Sequence, residues 1–262
     1  MAMSTLSLDE IEALAASALR ALGVAPGNAA PAARALADGE ALGVPEQGLA
    51  VLPAIAEALV DGAIDGAARP RITRPRVGLV RVEGRLGLGP PAIAAAAPRL
   101  VEAAREGTTA LMSVSGIGPI GLLDAALIQM AAEGLWTLGL AGDGQLALAA
   151  PRGDDGISLV ATAPGAGGGT GAGTGAEALA LAQLATAMGG PLVGAAAAQG
   201  LAILAVDPVE AARQSGAATP PAQPISNALG AARLEAAGRA MAEGVAIAGI
   251  TLADVRALGG RA

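Results

Sequence analysis

The interior of any fold that this chain adopts has to be filled by aliphatic side chains, because Trp136 is its one aromatic residue and it has no Phe or Tyr. Aromatic rings fill the largest volumes in ordinary protein cores. A core of Leu, Val, Ile, Met and Ala buries less area per residue and brings helices closer together. The 262 residues, 53% of them apolar, are still enough to bury a core without disulfides or metals. We therefore expect closely packed helices and a lower stability than the length suggests.

The composition also limits the chemistry that the chain can perform. It has no His, Lys, Cys or Tyr, so catalysis by an imidazole, a lysine amine, a thiol or a phenol is excluded. Only oxygen ligands remain for metals, and no metal site is predicted. The net charge of −7 argues against nucleic acid as a partner. Residues 1–10 lack the basic and apolar regions of a signal peptide, which indicates a cytoplasmic protein.

One uncharged stretch, residues 178–206, is long enough to cross a bilayer. It is interrupted by Gly189, Gly190 and Pro191 and consists largely of Ala and Gly, which insert weakly. A helix, a turn and a buried strand explain this stretch better than a membrane span. No membrane partner is predicted.

The N-terminal part, residues 1–76, has a helical pattern. Ser7 and Glu10 form a capping box before apolar residues at helical spacing. We expect Asn28 to cap a second helix that ends near Gly43, and a third helix over Leu49–Val60. The proline-containing stretch Arg69–Arg76 predicts an extended connector.

Strand and helix patterns alternate after this segment, which predicts an α/β fold: a mixed sheet covered by helices, with a helical N-terminal segment. We divide the rest of the chain into an α/β region at 77–164, a Gly-rich linker at 165–175 and a remaining α/β region with C-terminal helices at 176–262. The predicted strands are Val77–Val82, Ala110–Val114, Leu135–Ala141, Ile157–Ala163 and Leu201–Val206. The predicted helices are Pro90–Arg105, Leu122–Glu133, Ala176–Met188, Ala228–Glu243 and Leu252–Leu258, with Thr251 and Asp254 as a cap box for the last one.

Several segments resemble, in chain order, the type-2 malate/L-lactate dehydrogenases, a family that reduces 2-oxo acids with NADH or NADPH on a fold unrelated to the Rossmann dehydrogenases. Gly43–Pro53 is similar to the family segment that ends in Ser-His-Gly-Leu-x-Arg-Leu-Pro, and Ser113–Gly121 is similar to its Asn-Ser-x-His-Phe-Gly-x-x-Gly loop. Further similar segments are Leu59–Ile64, Ala132–Leu135, Ala161–Pro164, Thr174–Glu177, Gly190–Gly194, Leu201–Pro208, Arg239–Val245 and Thr251–Leu258. The resemblance implies the family's fold and a possible homodimer.

The departures from the family pattern lie on its functional positions. The family histidine that acts as acid/base corresponds to Gly116, the Ser-His-Gly histidine to Gln47, and the substrate-clamping arginine to Val51. No catalytic residue of the family is therefore intact. The resemblance implies that NAD or NADP, if either binds, contacts Gly118, Gly121, Thr162, Pro164 and Glu177, of which Glu177 stands where the family has Lys.

These replacements matter because reduction of a 2-oxo acid develops negative charge on oxygen, which a proton or a cation must meet. Gly116 and Gln47 supply neither. Three hypotheses follow: an NAD(P)H-dependent 2-oxo acid reductase that is inactive or strongly impaired, a catalytically dead structural homologue, and a small-ligand-binding protein that uses the old cleft.

Three weaker signals have plainer explanations. A dinucleotide-type glycine pattern at 167–172 arises readily in so Gly-rich a tract, which favours a linker. The Gly84–Gly89 run before a helix could bind an anion, but a strand-to-helix turn explains it better. The arginines Arg69, Arg71, Arg74 and Arg76 could bind a carboxylate or a phosphate, but a solvated connector is the simpler interpretation.

Overall fold

A computed structural model of the chain describes residues 3–141, 145–152, 156–161, 200–216 and 226–260. The strands in these ranges are β1 (Met3–Leu6), β2 (Arg71–Arg76), β3 (Leu79–Gly87), β4 (Thr109–Ile117), β5 (Trp136–Ala141), β6 (Leu146–Arg152), β7 (Gly156–Ala161), β8 (Leu201–Val206) and β9 (Val245–Ala248). The helices are α1 (Leu8–Ala21), α2 (Pro26–Ala41), α3 (Leu52–Val60), α4 (Gly89–Gly107), α5 (Leu123–Ala132), α6 (Pro208–Ser215), α7 (Ala228–Glu243) and α8 (Gly249–Gly259). Two short 3₁₀ turns, Pro45–Gln47 and Leu49–Val51, precede α3.

Seven of these strands form one mixed sheet in the order β2-β3-β4-β8-β5-β6-β7. β3 and β4 are parallel, because α4 connects them, and every other neighbouring pair is antiparallel. β1 and β9 form a separate antiparallel pair that joins the two ends of the described chain. The predicted class, a mixed sheet with helices, is confirmed.

Helices α4 and α5 cover one face of the large sheet. Along β8, Leu201, Ile203 and Ala205 are buried, whereas the residues between them are half-buried, so the strand has the period-two pattern of a sheet covered mainly on one side. Several fully buried residues of these two helices are small: Ala96, Ala103 and Ala104 in α4, and Ala131 in α5. Short side chains let the helix backbones approach the strands, as the ring-free composition predicts.

A second core lies among α1, α2, α3 and α8, and it contains Ile11, Leu19, Leu36 and Leu52. The predicted capping box starts α1, where the Ser7 N–H donates to Glu10 Oε2 (2.8 Å) and the Glu10 N–H donates to Ser7 Oγ (3.2 Å). This prediction is confirmed.

The predicted cap of the second helix is wrong. α2 begins at Pro26, which suits the first helical position because its missing N–H would have no helical partner there. Asn28 lies inside the helix, and its amide donates instead to the carbonyls of Gly66 and Ala68, both at 2.9 Å. The side chain therefore fastens a distant loop, a contact that local spacing does not indicate.

Most other predicted elements agree with the structure to within three residues at their ends, and Leu201–Val206 and Ala228–Glu243 agree at both ends. The predicted strand Val77–Val82 is β3, which continues to Gly87, and the last two residues of the predicted strand Ile157–Ala163 lie outside the described residues. The predicted connector Arg69–Arg76 contains strand β2, and β1, β6, α6 and β9 were not predicted. The cap box at Thr251 is wrong, because α8 begins at Gly249 after the N-cap residue Ala248. The predicted linker 165–175 and the predicted helix 176–188 lie outside the described residues.

The outer strand β7 is fastened by the residues just before α7. Ser226 Oγ accepts a hydrogen bond from the Leu159 N–H (3.1 Å), and the Asn227 side chain accepts from the Ala161 N–H (3.3 Å) and donates to the Ala161 carbonyl (2.8 Å). Asn227 Oδ1 also caps α7 by accepting from the Gly230 N–H at 2.7 Å. One asparagine thus fixes both a helix start and a sheet edge.

Helix α7 is also joined to α5 by a buried ion pair. The Arg233 guanidinium donates to the Asp124 carboxylate, and the two side chains are 4% and 3% exposed. Removal of one partner from such a pair leaves a buried charge, which costs far more than removal of both. The pair therefore fixes how α5 and α7 meet.

Gly39 lets the Pro45–Gln47 turn lie directly on α2. A Cβ atom at this position would stand 2.5 Å from the Gln47 carbonyl oxygen. We expect Gly39→Ala to lower the free energy of unfolding by about 1–3 kcal/mol, since the turn would have to move. Urea unfolding monitored by circular dichroism measures this change.

The same helix offers the control Gly27→Ala, because a Cβ at Gly27 meets no atom within 4 Å. This variant is expected to gain up to about 1 kcal/mol, since alanine lowers the entropy of the unfolded chain. Equal effects of the two substitutions would contradict the proposed close contact.

Candidate functional site

The sequence-predicted site positions of the Ser113–Gly121 segment lie at the end of β4 and in the loop that leads to α5. Gly116 is exposed and has a φ of +63°, a conformation that L side chains rarely adopt. The Gly118 N–H donates to the Gly87 carbonyl at 2.8 Å, which ties the loop to the end of β3. The Gly121 carbonyl accepts from Gln145 Nε2 at 3.0 Å. The Gly118 N–H and the Gly121 carbonyl are therefore already used in hydrogen bonds within the protein.

The other predicted site positions, Gln47 and Val51, lie in the turn that precedes α3. This turn is held on α2 by a buried carboxylate: Glu40 is 7% exposed, and its Oε1 accepts from the Leu49 N–H at 2.7 Å. Gly48 lies against the same carboxylate, where a Cβ atom would overlap it. Glu40 thus positions the backbone directly after Gln47.

A small recess brings Gln47, Val51 and Gly121 together. Its volume is about 20 Å³, roughly the space of one water molecule. The remaining lining residues are Ala32, Ala35, Leu36, Ile55, Leu88, Pro90 and Pro119. Among the residues that line this recess, the Gln47 amide is the single polar side chain and no side chain is charged.

Gly116 and Gly118 are not part of this lining; they lie beside the end of β3. The position of a Cβ at residue 116 would be 3.7 Å from the Arg85 backbone nitrogen, an ordinary contact distance, so a side chain has room there. Arg85 and Leu86 both have positive φ values, +55° and +62°, at the point where the β3–β4 register shifts. Two consecutive residues in this conformation are strained, and such strain is found mostly at functional sites.

The helix start after Gly84–Gly89 does not favour the anion-binding interpretation of this run. Pro90 and Pro91 occupy the second and third positions of α4 and have no N–H, and the Gly89 N–H donates to the Pro119 carbonyl at 3.1 Å. The run is a strand-to-helix turn. Two of the four arginines in the predicted group are paired with acids, which favours the connector interpretation: Arg71 pairs with Glu83 (3.7 Å), and Arg74 donates to Glu106.

Three predicted cofactor positions, Thr162, Pro164 and Glu177, lie outside the described residues. In the part of the chain that the structure does describe, no group of three or more Asp and Glu residues is placed to hold a metal ion. None of the described helices is both long and apolar enough to cross a membrane.

Sequence reasoning missed the role of Glu40. Burial raises the pKa of its carboxyl, the Leu49 N–H opposes this by stabilising the anion, and nearby Glu46 raises the pKa further. The acid stands eight residues before the Gly48 that packs on it, and no local motif indicates that contact. The available signal was an acid four residues after Leu36, on the apolar side of a predicted helix.

The sheet order and the loop between β4 and α5 define an α/β protein with a mixed sheet, and comparison with known proteins identifies its family. The sequence profile described as malate/L-lactate dehydrogenase matches residues 6–168. The chain belongs to the malate/L-lactate dehydrogenase family, as the resemblance predicted.

Individual relatives support this assignment. A (2R)-3-sulfolactate dehydrogenase (NADP(+)) from Chromohalobacter salexigens is 35% identical over 130 residues, which cover 50% of this chain and 39% of that relative. This match thus spans well under half the length of the curated relative.

Solved structures show the same fold. A malate dehydrogenase from Pyrococcus horikoshii has a TM-score of 0.76 at 16% identity, with 99% of this chain and 95% of that one covered. A delta1-piperideine-2-carboxylate reductase from Pseudomonas syringae has a TM-score of 0.73 at 19% identity, with 97% and 99% covered.

The raised pKa of Glu40 predicts a pH-dependent stability that Glu40→Gln removes. Because the folded state binds this proton more tightly, the charged carboxylate costs stability above the folded-state pKa, and that cost disappears as the pH falls toward 4.5. Gln keeps the oxygen that accepts from Leu49. The variant is therefore expected to be more stable than the parent at pH 7, by a margin that shrinks in acid.

Thermal unfolding between pH 4 and pH 8 tests this expectation. Glu57→Gln on α3, an exposed position, is the control and should give an offset that does not vary with pH. A margin for Glu40→Gln that grows in acid would refute the assignment.

Proposed function

We propose that this protein is, by descent, a nicotinamide-dependent oxidoreductase of small 2-hydroxy and 2-oxo acids whose hydride-transfer rate is strongly reduced. One observation carries the proposal: the family framework around the recess is present, whereas Gly116, Gln47 and Val51 offer neither an acid nor a cation. We propose small 2-hydroxy and 2-oxo acids as the substrate class because of the malate/L-lactate dehydrogenase family and the sulfolactate dehydrogenase relative.

The rate reduction follows from the charge that develops during the reaction. Addition of hydride to the carbonyl carbon of a 2-oxo acid moves an electron pair onto oxygen, and a proton must then reach that oxygen. Gln47 can donate a neutral hydrogen bond but cannot give up a proton. General acid catalysis contributes about 10²- to 10⁴-fold, so its loss alone leaves little activity. Val51 cannot fix a substrate carboxylate as the two-pronged guanidinium of an arginine does.

The described residues fit a nicotinamide dinucleotide only in part. Ser115 and Gly116 are exposed at the end of β4, where a flat ring has access, but Gly118 and Gly121 each already use one backbone group within the protein. No cation lines the recess to neutralise a pyrophosphate. When bound, NAD or NADP would supply the hydride, and Thr162, Pro164 and Glu177 are the further contacts that we propose from the resemblance.

A catalytically dead homologue or small-ligand-binding protein is the second candidate. The uncharged recess favours it, because an anionic 2-oxo acid gains no ion pair there. The resemblance leads us to propose a homodimer. We also propose that the protein is cytoplasmic, and that it divides into the segments 1–76, 77–164, 165–175 and 176–262 that the sequence pattern indicates.

Restoring the family histidines should raise activity. We expect the unmodified protein to reduce pyruvate, oxaloacetate and other 2-oxo acids at close to the uncatalysed rate with NADH or NADPH. Gly116→His combined with Gln47→His should increase that rate by about 10²-fold or more. Absorbance of the reduced cofactor measures turnover, and quenching of Trp136 fluorescence measures cofactor binding separately.

A histidine at Gly116 must adopt a positive φ, which histidine tolerates better than most residues. Gly216→His is the matched control, since Gly216 has a φ of +66° and open space around its Cβ position. It should cost similar stability and leave the rate unchanged. Rapid turnover by the unmodified chain would contradict the proposed impairment, and no binding of either cofactor would leave the dead homologue as the better description.

A further inference from the structure

A second and much larger cavity lies on the helical side of the protein. It is a groove of about 720 Å³ between α2, α4 and α5, within the size range of small-molecule sites. Ala35 and Pro90 line both this groove and the small recess, so the two are neighbours that share a wall.

The floor of the groove is aliphatic. Ile93, Ala97 and Val101 follow one another along a single face of α4, and Ala126 and Met130 of α5 face the same space. These residues are buried or half-buried, so the floor already lies below the protein surface. An aliphatic chain of several carbons would gain apolar contact along this floor.

One wall carries a half-buried carboxylate, Asp38 of α2. Gln129 Nε2 donates to its Oδ2 at 3.3 Å, a long and neutral contact. Burial raises the pKa of Asp38 and the nearby Glu12 adds to this, whereas Arg34, one turn earlier on α2, lowers it. The Arg34 side chain is exposed, and among the described contacts it forms no hydrogen bond with Asp38. A cation in the groove would meet this carboxylate.

The other charged groups at the rim leave the groove acidic. The rim carries the acids Glu102, Glu106 and Glu133 in addition to Asp38, against the cations Arg34 and Arg105. Arg105 is paired with Glu133 at 3.2 Å, and Glu106 is paired with Arg74. The charge balance of this site therefore attracts cations and repels carboxylates, unlike a site for 2-oxo acids.

We propose that the α2–α4–α5 groove binds a small amphiphile with one primary ammonium group, its aliphatic chain along α4 and its ammonium at Asp38. An ammonium group donates three hydrogen bonds, one of which can reach Asp38 while the others reach solvent. The inference is independent of the proposed oxidoreductase activity, because none of Gly116, Gln47 and Val51 lines the groove.

Titration with n-octylammonium and with octanoate, both below their micelle concentrations, tests the proposal. Calorimetry should show one octylammonium bound per chain and an affinity for octanoate at least about tenfold weaker, as expected for loss of one charge-assisted hydrogen bond. In a protein with ¹³C-methyl methionine, the signal of Met130 should shift with octylammonium. The signal of Met241, which is 74% exposed on α7, should not shift.

Asp38→Asn should bring the two affinities to within about threefold of each other, and it is expected to fold because it removes a desolvated charge. Asp61→Asn, at an exposed carboxylate after α3, is the matched control and should change neither affinity. Ala97→Leu should weaken octylammonium by filling the floor. Equal binding of the two probes, an unchanged preference in Asp38→Asn, or a Met130 signal that does not move would overturn the proposal.

Discussion

Because Trp136 is the one aromatic residue of the chain, small and medium-sized aliphatic side chains have to fill its interior. With no aromatic ring in the sheet–helix interface, the space between β-strands and α4 and α5 is closed by alanine and short aliphatic chains. Glycines stand where two backbone segments come close together, as Gly39 does against the Gln47 carbonyl. Substitutions that enlarge a buried side chain are therefore poorly tolerated, because protein interiors are already close-packed.

The sequence was sufficient for the elements whose signal is local. The capping box at Ser7 and Glu10, the strand Leu201–Val206 and the alternation of strands and helices all depend on neighbouring residues, and the structure contains them. The family motifs also allowed the overall fold to be predicted, because several weak matches in the right order are more specific than any single match. Asn28 shows the limit: as a cap-type residue it fitted the local rule, but its amide binds carbonyls 38 and 40 residues away.

The candidate site was predictable only as a set of positions. Sequence motifs indicated that Gln47, Val51 and Gly121 belong together, and the recess contains all three. They could not indicate that Glu40 supports the turn from below, that Arg85 and Leu86 are strained beside Gly116, or that Asp124 meets Arg233 across 109 residues of chain. Each of these depends on packing between elements that are distant in sequence. The groove at Asp38 is a further case, since three separate helices form it.

The two edge strands of the large sheet, β2 and β7, are protected in different ways. On β7, Ser226 and Asn227 bond the Leu159 N–H and both backbone groups of Ala161, while β2 carries Pro75 and exposed arginines. A bare strand edge can recruit an edge from another molecule and start aggregation, and prolines, charges or side-chain cover prevent this. So apolar a chain is prone to such association. Loss of the Asn227 side chain would uncover part of the β7 edge, and its first consequence would be a lower solubility at high protein concentration.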